Sequence, residues 1–151
     1  MATIAFTAEP GKPEVLITRM FEVPRTSLFR AYTDPLLIPQ WWTNTTVDKM
    51  DVRPGGVWRY VTHAGGQESG VYGVYHEITA PARLVYTFEA EGMPGHVQLI
   101  TVTLEERNGK TLLTQQSVFQ SVQDRDTMAQ YGMETGAKAG FDRLEAVVTK
   151  L

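Results

Sequence analysis

Between residues 45 and 119 the chain alternates short runs of β-forming residues with turn residues, and the turns are too short to do more than reverse direction. Extended runs fall at 45–52, 57–63, 70–78, 84–89, 96–105 and 111–119. They are separated by Pro54, Gly55 and Gly56, by Gly65 and Gly66, by Ala80 and Pro81, by Gly92, Pro94 and Gly95, and by Asn108 and Gly109. The Asn-Gly pair is the clearest hairpin signal, because both residues tolerate the left-handed conformation such turns require. A parallel pairing needs a crossover of a dozen residues or more. No separator has room for one, so most of this sheet is expected to be antiparallel.

The flanks supply what the sheet needs to cover it. Residues 15–23 read as a first strand, ended by Pro24, which cannot donate to a ladder but suits the first turn of a helix. A short helix is expected over 24–32, with Leu28, Phe29 and Tyr32 at helical spacing, and Thr33, Asp34 and Pro35 open a second before Leu36, Leu37 and Ile38. Residues 1–13, with Pro10, Gly11 and Pro13, read as a flexible arm leading into a single domain over 14–151. From 127 to 151 there is no proline, and Met133, Ala137, Phe141, Leu144 and Val148 make one apolar stripe. One long helix is therefore expected to lie on a sheet of about seven strands. That is an α+β layout.

Composition removes several classes of function. The chain has no cysteine, which excludes disulfides, thiolate metal sites and cysteine nucleophiles. Its formal charge is −3, with basic residues scattered singly, so nucleic-acid binding is disfavoured. No apolar run approaches a membrane span and the first ten residues lack the basic start and apolar core of a signal peptide; membrane insertion is not expected, and the expected location is the cytoplasm.

Several blocks carry a resemblance. ITRMFEVP at 17–24, the Thr33, Asp34, Pro35 start and the Trp41, Trp42 pair are followed by MDVRPGGVWRY at 50–60, GVYHEI at 73–78, RLVYTF at 83–88 and FDRL at 141–144. In this order they resemble the heat shock protein 90 ATPase activator homologue-like family, of the START-related (SRPBCC) superfamily. The resemblance implies the helix-grip fold, a curved antiparallel sheet wrapped around a C-terminal helix with a ligand pocket between them. Co-chaperone activity in that family belongs to larger proteins with a further N-terminal domain, so chaperone contact is not expected of a chain this short. Family members often carry tryptophan where Ala137 stands, which implies a wider cavity here or one refilled by Met133 or Phe141.

Candidate cavity residues follow from strand parity. Trp58 and Tyr60 lie two apart and share one face, where they either wall a pocket or fill the core. Of Trp41 and Trp42, one is expected to anchor the second short helix and Trp42 to stand at a pocket mouth. If Leu113 points inward, so do Gln115, Ser117 and Phe119; if Ile100, Val102 and Leu104 do, Gln98 joins them. Inward amides need partners, since a buried amide without one costs about 1–3 kcal/mol. The other parity, or a one-residue bulge, turns them to solvent. Met133, Ala137 and Phe141 face the sheet from the helix. Beside them Gly132, Gly136 and Gly140 recur every fourth residue, each costing a helix about 1 kcal/mol relative to alanine. Either the helix backbone approaches a neighbour closely there, or side chains are absent to leave room for a ligand.

His63, His76 and His96 have no metal-ligand spacing, and no nucleophile motif is present, so no cofactor or metal is expected and no residue is assigned a catalytic role. The expected function is binding of a small apolar or amphipathic molecule between sheet and helix, with a homodimer left open. The alternatives are a cyclase- or hydrolase-like enzyme using Glu77, Glu89 or a histidine in the same pocket, and a chaperone ATPase-activator-like partner protein.

Overall fold

The computed structural model describes residues 3–151. Eight strands form one antiparallel sheet: β1 (Ala5–Thr7), β2 (Glu14–Phe21), β3 (Thr45–Met50), β4 (Val57–Ala64), β5 (Gln67–Thr79), β6 (Arg83–Ala90), β7 (Val97–Arg107) and β8 (Lys110–Val118). Their order across the sheet is β1-β2-β8-β7-β6-β5-β4-β3. The sheet is curved and open. Neighbours in sequence are neighbours in space except where β2 joins β8, a pairing that brings the first long strand beside the last. The eighth strand is β1, which pairs Ala5 with Thr18 and Thr7 with Leu16 inside the segment read from sequence as an arm.

Alternation decides the face that each strand buries. Along β2, Val15, Ile17, Arg19 and Phe21 are buried and the residues between them are partly exposed. Along β7, Gln98, Ile100, Val102 and Leu104 are buried. Helices α1 (Arg25–Thr33) and α2 (Ile38–Trp41) follow β2 and bury Leu28, Ala31, Tyr32, Ile38 and Trp41. The Trp41 indole donates to the Ala31 carbonyl at 3.0 Å, which ties the two helices together and uses the nitrogen that burial would otherwise leave unpaired.

The C-terminal helical segment corrects one expectation. It consists of α3 (Val122–Gln130) and α4 (Met133–Val148), separated at Gly132, whose φ of 81° lies in the left-handed region. A continuous helix cannot pass through that conformation, and glycine occupies it without the Cβ clash that other residues suffer. The α3 start is capped by Ser121, whose hydroxyl accepts from the Asp124 amide at 3.0 Å. The C-terminal half of α4 is seated firmly: Phe141, Leu144, Val147 and Val148 are buried, and Phe141 meets Phe21 edge-on at 6.1 Å. Burial of each such side chain is worth about 1.5–3 kcal/mol. Arg19 reaches across from β2 to Asp142 and Glu145, both at 2.7 Å. The N-terminal half is seated less deeply, with Met133 and Ala137 only partly buried and Gly136 exposed. Among the described residues no helix is long and apolar enough to cross a membrane.

Candidate functional site

Where α4 stands off the sheet there is a cavity of about 420 Å³. Its floor is the inward face of β6 to β8, contributing Tyr86, Phe88, Gln98, Ile100, Gln115 and Ser117. Helices α3 and α4 roof it with Met128, Met133, Gly136, Ala137, Gly140 and Phe141. Tyr32, Trp41, Trp42 and Thr43 close one side together with Thr45 and Thr62, and Arg143 stands at the rim. The lining is predominantly apolar with a few polar groups, the make-up of a small-molecule site, and its volume falls within the roughly 300–1,000 Å³ usual for one.

Two buried polar atoms among the described residues that line this region have no protein partner: the Ser117 hydroxyl and the Tyr32 hydroxyl. Ser117 is only 1% exposed. An orphaned buried hydroxyl costs about 1–3 kcal/mol, and both of these oxygens are fully buried beneath the cavity lining. Burial raises the phenol pKa values of Tyr32 and Tyr86 well above their ordinary position, and that of Tyr75 behind them to about 12. The cause is the poor solvation of a phenolate in this aromatic region. These hydroxyls therefore remain protonated hydrogen-bond donors at neutral pH.

Of the nine residues proposed from sequence, Trp42, Gln98, Gln115, Ser117, Met133, Ala137 and Phe141 are brought together around this cavity. Trp58 and Tyr60 are not. They border a separate void of only about 20 Å³, and they are 2% and 5% exposed. The Trp58 ring lies against Tyr60 at 4.7 Å and against Tyr86 and Phe88 at 5.9 Å, which leaves it no free face for a ligand. Both residues are core, and Tyr60 meets the ring of the cavity residue Trp42 at 5.1 Å. Sequence reasoning missed Tyr32, Tyr86, Phe88 and Arg143. Tyr32 could have been found, since its helical spacing with Leu28 already placed it facing the sheet.

The glycines of α4 now have a physical explanation. A Cβ added at Gly136 would meet nothing within 4 Å, and one added at Gly140 only the Arg143 Nη2 at 3.9 Å. Close approach of the helix to a neighbour is therefore not the reason for them, and both line the cavity. Gly136→Ala and Gly140→Ala are each expected to raise stability by about 1 kcal/mol, the ordinary helix-propensity gain. Urea denaturation measures it, and a loss of stability in either variant would mean that the space is needed by the folded chain itself.

The residues an enzymatic alternative would need lie elsewhere. His63, His76 and His96 are exposed. Glu77 accepts from the Thr79 hydroxyl and the Arg83 guanidinium, while Glu89 accepts from the Gly95 amide. His96 pairs with Asp124 at 2.9 Å beside a smaller pocket of about 70 Å³. None of these side chains lines the large cavity.

Comparison with known proteins agrees with this architecture. The model of the family described as "Activator of Hsp90 ATPase homolog 1-like protein" matches residues 22–149. No curated protein matches significantly. Among solved structures, a protein from Rhodobacter sphaeroides superposes with a TM-score of 0.87 at 24% identity, over 99% of this chain and all (100%) of that one. One from Arthrobacter aurescens gives 0.88 at 22%, over 97% and 92% of the two chains. A third, from Staphylococcus epidermidis, gives 0.81 at 28%, over 95% and 94%. The fold is thus the START-related helix-grip fold. The family match also overturns one expectation: chaperone contact was set aside on chain length, yet the matching family takes its name from activation of the Hsp90 ATPase. Length does not remove that partner class.

Proposed function

Since the chain belongs to the Activator of Hsp90 ATPase homolog 1-like family, whose START-related fold leaves a space between sheet and helix, we propose that it binds a small amphipathic organic molecule in that space, within the cytoplasm. The observation that carries this reading is the 420 Å³ cavity, lined by aromatic and aliphatic side chains with a few polar ones and with glycines at two of its roof positions. Titration with the neutral fluorophore N-phenyl-1-naphthylamine tests the proposal. Saturable binding at one site is expected, and Ala137→Trp, which places an indole in the cavity, should weaken it at least about tenfold. Binding that ignores Ala137→Trp would locate the probe elsewhere and remove the support.

A second reading has its own support in the family match, whose description names a chaperone ATPase. On this reading the protein contacts Hsp90 and speeds its ATP hydrolysis. An ATPase assay with the host's own chaperone tests it, with stimulation that saturates on titration as the expected result and an unchanged rate as the result that overturns it.

A further inference from the structure

Nineteen residues line the cavity, and Arg143 is the only charged one among them. We infer that the ligand is an amphipathic monocarboxylate whose acid group pairs with the Arg143 guanidinium at the rim while its apolar body fills the space between α4 and the sheet. The inference rests on the ligand-binding reading above and specifies the ligand's chemistry.

Arg143 is a solvent-exposed rim residue whose guanidinium is held from one side. Its Nε donates to the Trp41 carbonyl at 3.0 Å, which fixes the guanidinium against the end of α2. That bond leaves both Nη groups free, and Arg143 forms no ion pair among the described residues. The neighbouring carboxylates on α4 are committed elsewhere: Asp142 to Arg19 and Lys138, and Glu145 to Arg19. The Nη2 atom lies 3.9 Å from where a side chain on Gly140 would begin, so this nitrogen stands beside a bare stretch of the cavity roof. A guanidinium held by one nitrogen and open at the other two presents the planar fork that a carboxylate engages with two parallel hydrogen bonds. No acidic residue lines the cavity to compete for it.

Competition with N-phenyl-1-naphthylamine by decanoate and by decan-1-ol tests the inference, because the two differ only in the head group and the acid is ionised at neutral pH. Wild-type protein is expected to prefer decanoate about tenfold, and Arg143→Gln to abolish that preference. Arg143→Lys keeps the charge but not the fork, and should retain only part of the preference. The inference is overturned if wild type shows no preference for the acid, or if Arg143→Gln weakens both competitors equally. Should Arg143→Gln unfold because the Trp41 contact is lost, Arg143→Lys decides, an undiminished preference counting against the paired fork. Failure of the fluorophore and of both competitors to bind, checked by calorimetry, would instead remove the ligand-binding reading and this inference with it.

Discussion

Gly73→Ala is expected to destabilise the protein by about 3 kcal/mol or more, although it adds a single methyl group. Gly73 pairs with Trp58 across β4 and β5, and the indole lies over it. Here the β5–β6 ladder loosens, with the Val74 amide bonded to the Thr87 hydroxyl at 2.9 Å. A Cβ at position 73 would overlap the Thr87 carbonyl and come within 2.7 Å of the Trp58 indole nitrogen. The carbonyl belongs to the backbone of a central strand and cannot turn aside. Trp58 is 2% exposed and packed on three rings, so it has nowhere to move either. Urea denaturation should report the loss, and near-ultraviolet circular dichroism should change with it because Trp58 and its neighbours dominate that signal. A neutral variant would show that β5 and β6 can part here without cost.

Arg19→Met is expected to cost about 2–3 kcal/mol, the second largest effect. The Arg19 side chain is fully buried, lies 5.1 Å from the Phe21 ring centre, and ends on two carboxylates that are about a third exposed. Methionine restores much of the volume but leaves Glu145 without its cation and Asp142 with only the exposed Lys138, the two carboxylates facing each other across one helical turn. They can partly rehydrate, which keeps the cost below that of stranding a buried charge. The pH dependence has a defined sign. Hydrogen bonds, first from Arg19 and then from Lys138, hold the Asp142 carboxyl below its ordinary pKa of 3.8. A lowered folded pKa gives stability that is present above the unfolded value and is lost as pH falls through the folded one. The gap between wild type and Arg19→Met should therefore be widest near neutrality and shrink in acid below about pH 4. A gap that does not change with pH would assign the effect to packing alone.

Much of the frame was legible because its signals are local. Turn residues marked the strand ends, and alternation along 96–105 and 111–119 assigned Gln98, Gln115 and Ser117 to the same face as Ile100 and Leu113, where the structure has them. The break at Gly132 was hidden for a physical reason. The stripe from Met133 to Val148 keeps its period, while Thr127 and Met128 continue helical composition upstream, so nothing but the glycine itself marks the joint. Trp58 and Tyr60 were assigned to the inward face with pocket wall and core both left open, and the structure has them in the core. Parity cannot tell which end of a strand lies under the seated half of a helix and which under the raised half. Arg19 was the most readable omission. It occupies an inward position between Ile17 and Phe21, and such a cation needs an acid opposite, which Asp142 and Glu145 supply one helical turn apart on α4.

An open sheet also has two ends, and each end is a ladder that another extended chain could continue. Here one end is β1, only three residues long, which offers too few free groups to template a neighbour. The other is β3, which carries Asp48 and Lys49 and shifts register between Val47 and Lys49. A bulge twists the outer row of amides out of line, and charged side chains at that row must be desolvated before a second strand can dock. The unclosed architecture that lets the sheet curve around a cavity thus comes with guarded margins, which oppose its growth from a discrete particle into a fibre.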